Sequence, residues 1–283
     1  MVKIAAVVIT YFPDIKDTIA NIGLYIHHVD KLIVWDNNTA AEGDKFRPEY
    51  EAYADKIEFM GTGKNEGIAF ALNRCIEWAT ENGYTHLLTM DQDSSFVDFS
   101  KFQYIIRNID DNSILAFCPN VNNLYSLDCN QPFEVVECIT SGTVYVLENV
   151  KKVGPFREDY FIDAVDLEYC YRGIVMGYKT VVIPSANLIQ RFGNPLKNVL
   201  GFTPINYSAF RSYFIIRNHL LLWREYPSLF NKRSFLITEQ IIKRVVKIIL
   251  GEDHKAKKIA AIMKGFRDGL LFPVKKIKKQ EEK

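Results

Sequence analysis

Two clusters of carboxylates, remote from each other along the chain, are the residues best suited to chemistry. The first is Asp91-Gln92-Asp93, which follows the apolar run THLLTM at 85–90. On an extended segment, carboxylates at i and i+2 point to one side about 6.5 Å apart. That spacing can hold a hard divalent cation beside a substrate oxygen. Mg²⁺ takes one or two carboxylates and leaves its other positions to phosphates and water. The plainer alternative is a solvated turn in which Asp93 caps the next helix. The second cluster lies in YFIDAVDLEYCYR at 160–172. Asp163 and Asp166 share a helix face at i and i+3, and Glu168 with Arg172 at i and i+4 predicts an ion pair. Acidic residues in a first helical turn complement the macrodipole, which accounts for them without chemistry. Crowded carboxylates also raise one another's pKa, which suits one of them to act as a general base near neutrality.

Other chemistries lack their residues. G-x-x-x-x-G-K-[ST] is absent despite GTGK at 61–64, no G-x-G-x-x-G follows the first strand, and G-x-S-x-G does not occur. A nucleotidyltransferase would need a Gly-rich loop where Tyr11-Phe12-Pro13 stands. The five histidines have no zinc-ligand spacing, and His86, inside a strand, reads as a core residue. The five cysteines (Cys75, Cys118, Cys129, Cys138 and Cys170) form no C-x-x-C, so reduced thiols in a cytoplasmic protein fit better than a disulfide framework.

The elements that must position the carboxylates follow from periodicity. Continuous apolar runs at 2–10, 31–35, 56–60 and 85–90 predict strands covered on both faces. Between the last two, apolar residues at 68, 72, 75/76 and 79 give a helical stripe over 66–80. This alternation predicts an α/β fold with a mainly parallel sheet and helices on both faces. Residues 114–147 read as short strands and turns, 163–176 as a helix and 179–183 as a strand. Beyond 205 the pattern is helical over 205–226, 232–250 and 254–271. In such sheets ligands bind beyond the carboxyl ends of the strands. Those ends carry Thr10-Tyr11, Asp36-Asn37-Asn38 and Asp91-Gln92-Asp93, so three polar clusters converge on one edge.

The 283 residues suffice for one large α/β domain or two small ones, and a net charge of +1 argues against nucleic acid as partner of the whole chain. The charge is uneven. Residues 232–283 hold fifteen Lys/Arg against six Asp/Glu, net +9, and the remainder is net −8. The segment FLITEQIIKRVVKIIL at 235–250 places Lys243, Arg244 and Lys247 opposite Ile241, Val245 and Ile248. Lys255, Lys257, Lys258, Lys275, Lys276, Lys278 and Lys279 follow. A basic amphipathic helix can lie on an anionic membrane surface. The alternative is packing on the body or on a second copy of the chain, as a homo-oligomer. The β-branched Val7-Val8-Ile9 favours a buried strand over a leader peptide at the start, and no apolar run reaches the roughly 18 residues of a membrane span.

The ordered segments VVITYFPD, VWDNNT, KNEGIAFALNRCIEWA, LLTMDQDS and TSGTVYVLENVKKVGPFREDYFIDAVDLEYCYRG, followed by FTPINYSAFRSYFIIRNHLLLWREY and GFRDGL, form a recognisable series. The series resembles the inverting family 2 glycosyltransferases of GT-A fold, and within them the bacterial rhamnosyltransferase-like branch. The resemblance spans nearly the whole chain. It implies a GT-A catalytic domain at 1–204, Rossmann-like with a mostly parallel central sheet flanked by helices, and a helical C-terminal region at 205–283. It implies a metal-dependent hexosyltransferase; the basic C-terminal helix, in a cytoplasmic protein, would place it peripherally on the inner face of the plasma membrane. Such an enzyme moves a sugar from a nucleoside-diphosphate donor, dTDP-rhamnose first, to a hydroxyl of a growing cell-surface glycan, free or lipid-linked. A UDP-hexose or galactofuranose donor, and a catalytically weakened glycan-binding scaffold, are the alternatives.

The resemblance also implies roles. Thr10 and Tyr11 line the nucleotide pocket, Asp36 meets the base or ribose, and Asn65, Gly67 and Asn73 match the N-x-G…N pattern that shapes that pocket. Asp91 lies near the ribose. Asp93 binds Mg²⁺ or Mn²⁺, with Asp91 and Gln190 as further candidate ligands. Asp166 aligns with the catalytic base and Asp163 is its alternative. Arg172, Arg191, Arg211 and Arg217 are candidates for contact with the diphosphate or acceptor; for Arg211, Arg217 and Asn218, in the late motif, the alternative is pairing with acidic residues of the body. One position departs from the pattern: Gln190 stands where relatives usually place a histidine. An amide carbonyl binds metals more weakly than imidazole, which implies a weaker metal site here.

Overall fold

The β-rich runs become strands because every second residue finds a different core. The computed structural model describes residues 2–125, 131–191, 205–230 and 241–274. In β1 (Ile4–Thr10), Ala5 and Val7 face one apolar cluster while Ile4, Ala6 and Val8 face another. The same alternation runs through β2 (Lys31–Asp36), where Ile33 and Trp35 oppose Leu32 and Val34. It recurs in β4 (His86–Asp91), where Leu87 opposes Leu88 and Met90. Burial on both faces explains the continuous apolar runs. With β3 (Ile57–Gly61) these strands form the parallel half of one sheet, in the order β3-β2-β1-β4.

The second half is mixed. It comprises β5 (Ser94–Phe96), β6 (Ile114–Val121), β7 (Phe133–Val135), β8 (Thr143–Val146) and β9 (Lys179–Gln190). The sheet continues β4-β8-β6-β9-β5, with β7 on β9. The antiparallel strands are β5, β7 and β8; the other six point one way. Strand β9 outruns its expected end at 183. Its pairing with β6 shifts between Pro119 and Asn120, which skips Pro184, and then continues to Gln190. Proline cannot donate to a ladder and is tolerated at such a bulge. The extension pairs Gln190 with Ser94.

One face of the sheet packs on α1 (Ile15–Gly23) and α4 (Phe99–Asn108). The other packs on α3 (Ile68–Glu81), α5 (Leu147–Val153), α6 (Val165–Val175) and α7 (Ala209–Glu225). The short α2 (Ala40–Phe46) follows β2. After α7 come α8 (Arg244–Gly251) and α9 (Lys255–Leu271). Residues of α7, α8 and α9 share their apolar cluster with α3 and α6: Ile215, Leu221, Ile248 and Ile262 belong with Leu72 and Tyr169. The GFRDGL segment lies in α9 and seats it on α7. A Cβ on Gly265 would come within 2.5 Å of the Tyr213 carbonyl, and one on Gly269 within 3.0 Å of that of Arg217. The Tyr213 hydroxyl donates to Asp268.

Cys75, Cys118, Cys138 and Cys170 are free thiols. His86 is half-buried beside the Thr85 hydroxyl rather than enclosed in the core. Cys129, residues 235–240 of the basic segment, and Lys275, Lys276, Lys278 and Lys279 lie outside the described residues. Among the described residues no helix is long and apolar enough to cross a membrane.

Candidate active site

Register brings the polar strand ends together. Thr10 pairs with Asp36, and Ile9 with Asp91, so the ends of β1, β2 and β4 carry their polar residues side by side. Gln92 clasps the Tyr11 backbone: its Oε1 accepts from the Tyr11 N–H at 2.8 Å and its Nε2 donates to the Tyr11 carbonyl at 3.2 Å. Asp91 ends β4, and residues 92 and 93 form a turn into β5. Asp93 therefore sits on a turn and not on an extended strand, so the strand-rise spacing does not apply to the pair. Nor does Asp93 cap the following helix; Asp98 does.

Asp91 is the electrostatic centre. Its backbone N–H donates to Ser141 Oγ at 3.1 Å, and Ser141 donates in turn to Ser94 Oγ at 2.8 Å. Gln190 Nε2 donates to Asp91 Oδ2 at 2.8 Å. Burial, then the carboxylates of Asp93 and Asp166, push Asp91 up to about 7, with Arg211 acting against them. Asp91, at the end of β4, thus senses the carboxylates of its following turn and of α6. Asp93 is exposed as a residue; partial removal of its carboxyl from water raises its pKa, while its own backbone N–H, Arg191 and Arg211 lower it.

Asp166 enters from the first turn of α6. Burial raises it to about 6; the Leu167 N–H, which it accepts at 2.9 Å, works the other way, and Asp163 adds to the rise. The loop before it is strained. Phe161, Asp163 and Ala164 hold φ of 58°, 61° and 61°. Left-handed non-glycine residues cost of order 1–3 kcal/mol each and persist where their surroundings over-determine them. Asn218, fully buried on α7, donates Nδ2 to the carbonyls of Tyr160 (2.9 Å), Ile162 (2.8 Å) and Asp163 (2.7 Å). The Ile68 N–H donates to the Phe161 carbonyl at 2.9 Å, and Gly67 lies so close that a Cβ there would meet Phe161 within 2.8 Å. Arg211 grips the Asp163 carboxylate through Nε and Nη2 at 2.9–3.2 Å and stacks on Tyr207.

Some expected site residues stand elsewhere. Asn73 is buried, bridging the Phe156 backbone and Glu158 at 2.8–3.0 Å, so it supports the loop from beneath. Arg172 pairs with Glu168 at 2.9 Å, as the i,i+4 spacing predicts, and faces Tyr169. Arg217 is buried against Phe214, donating to Asn218 Oδ1 and the Asp159 carbonyl. None of the three opens onto the carboxylates, because each already has a buried partner. Arg191 is exposed beside Asp17 at 3.4 Å and near Asp93. Asp36 is half-buried under α2, its Oδ1 accepting both N–H groups of Asn38, and lines a narrow cleft with Thr10 and Tyr50. Asn65 Oδ1 accepts the Gly67 N–H at 2.9 Å, forming the turn into α3. A hollow of about 370 Å³ between Trp35, Phe70 and Trp78 runs along α3, and none of these carboxylates lines it. Pairing of Arg211 with an acidic residue of the body was one of its two sequence readings, and the partner is Asp163; the loop-holding role of Asn218 was not legible, because it joins residues more than fifty positions apart.

Among the described residues no group of three His, Cys, Asp or Glu side chains is arranged to hold a metal ion. An amide changes that picture. Gln190 Oε1 is buried without a hydrogen-bond partner. That orphaned carbonyl, on the amide that donates to Asp91, is an oxygen donor of the kind that Mg²⁺ or Mn²⁺ accepts. A cation there would also relieve the crowding that raises Asp91.

No family model matches the chain. It is 28% identical over 249 residues to the dTDP-rhamnosyl transferase RfbF of Shigella flexneri, covering 79% of this chain and 80% of that protein. Among solved structures it is similar to the mannosyltransferase PcManGT of Pyrobaculum calidifontis in complex with GDP-Man and Mn²⁺, with TM-score 0.64, 14% identity, and coverage of 95% of this chain and 87% of that one. It is also similar to GalNAc-T7 with UDP, GalNAc and Mn²⁺, with TM-score 0.61 and 10% identity; the match covers 95% of this chain but only 56% of the length of GalNAc-T7. S. aureus TarS 1–349 matches at TM-score 0.50 and 14% identity, over 94% of this chain and 71% of that one. The architecture these structures share is the GT-A fold.

Proposed function

On the premise that this chain is a GT-A glycosyltransferase of the rhamnosyltransferase-like kind, using a nucleoside-diphosphate sugar, we propose that it transfers rhamnose from dTDP-rhamnose, with inversion, to a hydroxyl of a growing cell-surface glycan. One observation carries the reading: Asp91, Asp93, Asp166, Gln190 and Arg211 come together at the carboxyl rim of the sheet. The nucleotide lies over the ends of β1 and β2, near Thr10, Tyr11, Asp36 and the Asn65–Gly67 turn.

Asp166 is the base. Its pKa of about 6 leaves it ionised at neutral pH yet basic enough to accept a proton. Asp163 is the poorer candidate, because Arg211 holds its carboxylate. Asp166 takes the proton of the acceptor hydroxyl as that oxygen bonds to the anomeric carbon. The bond from that carbon to the diphosphate breaks on the opposite face, and the diphosphate leaves with the electron pair. Arg211, fixed by Asp163, and Arg191 place positive charge at the rim for that developing anion. Asp93, Asp91 and Gln190 would hold Mg²⁺ or Mn²⁺. Such a cation neutralises charge on a departing diphosphate. The acceptor is lipid-linked and the enzyme sits at the cytoplasmic face of an anionic membrane. Exposed Met263 (69%), Leu271 (74%), Phe266 and Leu270 beside Lys255 and Arg267 on α9 support this placement.

The test is a melting-temperature panel of dTDP-rhamnose, UDP-hexoses and UDP-galactofuranose, with and without Mg²⁺ or Mn²⁺, on wild type and Asp166→Asn. Both proteins should be stabilised by the same donor. Asp166→Asn should lose roughly 10²–10⁴-fold in transfer. Near-normal transfer by that variant removes Asp166 as base; stabilisation by no nucleotide sugar removes the reading.

A further inference from the structure

Helices α7 and α9 touch closely and then part. Gly265 backs onto the Tyr213 carbonyl, but Ala209 and Ala261 are too short to fill the space beside it. The result is an open crevice of about 330 Å³ lined by Ala209, Phe210, Tyr213, Phe214, Ala261 and Lys264. Its aromatic wall belongs also to the catalytic loop. Phe210 and Phe214 stand 4.9 Å apart, centroid to centroid, and each lies 5.4 Å from Phe161. The residue after Phe210 is Arg211, which holds Asp163. The crevice therefore opens one residue from the group that anchors the active-site loop.

Its chemistry is restricted. The Tyr213 hydroxyl is committed to Asp268 at 3.0 Å. The Lys264 ammonium lies 5.2 Å from the Tyr213 ring centre, exposed at the rim. Phe210 is 55% exposed. The lining thus offers mainly carbon surface, one cation, and a single hydroxyl whose proton is already committed. A sugar ring needs several convergent hydrogen-bond partners; a hydrocarbon chain ending in a phosphate needs carbon surface and one cation. The volume is at the low end of small-molecule sites, about 300–1,000 Å³, enough for the stretch of chain nearest a head group.

We propose that this crevice binds the hydrocarbon chain of a lipid-phosphate-linked acceptor, its aromatic walls taking the chain and Lys264 the phosphate. The proposal rests on the glycosyltransferase reading for what the lipid carries, and its test does not use the donor. The probe is farnesyl phosphate, titrated calorimetrically into the full chain below its aggregation concentration, with farnesol, inorganic phosphate and phosphatidylglycerol vesicles as comparators. Wild type should bind farnesyl phosphate. Ala261→Trp, which fills the crevice, should weaken binding by about tenfold or more. Lys264→Gln should weaken farnesyl phosphate by about tenfold and leave farnesol unchanged. An unchanged circular dichroism spectrum and a cooperative melt check that each variant is folded.

Absence of binding to wild type overturns the proposal, as does an Ala261→Trp variant that is folded and binds as tightly. Inorganic phosphate matching farnesyl phosphate reduces the site to an anion contact and overturns it. Vesicles that lose affinity with Ala261→Trp as much as the soluble probe does make the crevice a bilayer anchor and overturn the acceptor assignment. Each of these failures leaves the donor panel untouched, so the two readings fall separately.

Discussion

Replacing Asn218 by leucine isolates the force that shapes the catalytic loop. The branching and heavy-atom count of the side chain are kept, but the amide that serves three carbonyls at 2.7–2.9 Å and accepts from Arg217 Nε at 2.9 Å is removed. Two amide hydrogens cannot fully serve three acceptors, so two carbonyls and the Arg217 N–H are the groups left stranded. Each stranded buried polar group costs about 1–3 kcal/mol. The loop can recover part of that by letting Phe161, Asp163 and Ala164 leave their left-handed conformations. The net loss is then roughly 2–5 kcal/mol. At about 2–4 °C per kcal/mol for a chain of this size, the melting temperature falls by roughly 5–15 °C. Relaxation moves Asp166, two residues beyond Ala164. A displacement of about 1 Å can cost about 10²-fold in turnover. In the proposed donor pocket Thr10, Tyr11 and Asp36 stand on β1 and β2, while the Asn65–Gly67 turn abuts Phe161, so kcat should fall by more than the KM for the donor rises. The assays are thermal melting and nucleoside diphosphate release from dTDP-rhamnose. A variant that melts lower yet keeps kcat within a few-fold of wild type would falsify the link between this amide and the base. An unchanged melting temperature refutes the hydrogen-bond accounting itself.

Other outcomes follow from the same geometry. On the proposal that Asp166 is the base and acts ionised, kcat/KM should fall as pH drops below about 6 and stay flat above it; an acid limb centred near 4 would contradict the raised pKa. The linkage has the opposite sign for folding: between 3.8 and about 6 the folded state binds a proton that the unfolded state does not, so this group adds stability as pH falls. Melting of wild type minus Asp166→Asn from pH 7 to 5 reads that trend, and a difference that shrinks or stays level on acidification refutes it. Gln190→His puts an imidazole where an orphaned carbonyl stands, and Mn²⁺ titrated by electron paramagnetic resonance should bind more tightly; weaker binding than wild type would show that the carbonyl does not face a cation. Gly265→Val drives a side chain into the Tyr213 carbonyl and should lower stability by about 1–3 kcal/mol, visible as an earlier melt; an unshifted melt would mean that α9 can move off α7 freely.

Much of this fold was legible because its strands are covered on both faces. The runs at 2–10, 31–35, 56–60 and 85–90 lie within a residue or two of β1 to β4, since period-2 burial on two cores leaves little freedom. Strand β9 was legible only as far as Pro184, where a local reading must stop; its continuation depends on Ser94, which is distant in sequence. The carboxylates were visible by type and neighbourhood, but the turn that carries Asp93 was not, because β5 is too short to announce itself. Asn73 and Arg217 show the limit most clearly. An amide or guanidinium that grips a substrate and one that grips a buried carbonyl are the same residue in sequence. Only the partner distinguishes them, and here the partners are the carbonyls of Phe156 and Asp159.

The amide of Asn218 also governs how this enzyme can be cut and recombined. A construction joint placed at 204 would leave the acidic loop on one fragment and its brace on the other. The separated front portion would keep every candidate proton acceptor and lose the scaffold that orients one of them. Chimeras meant to exchange acceptor preference between related enzymes should therefore move α6 and α7 as one cassette, with their junctions in β8 and beyond Glu225.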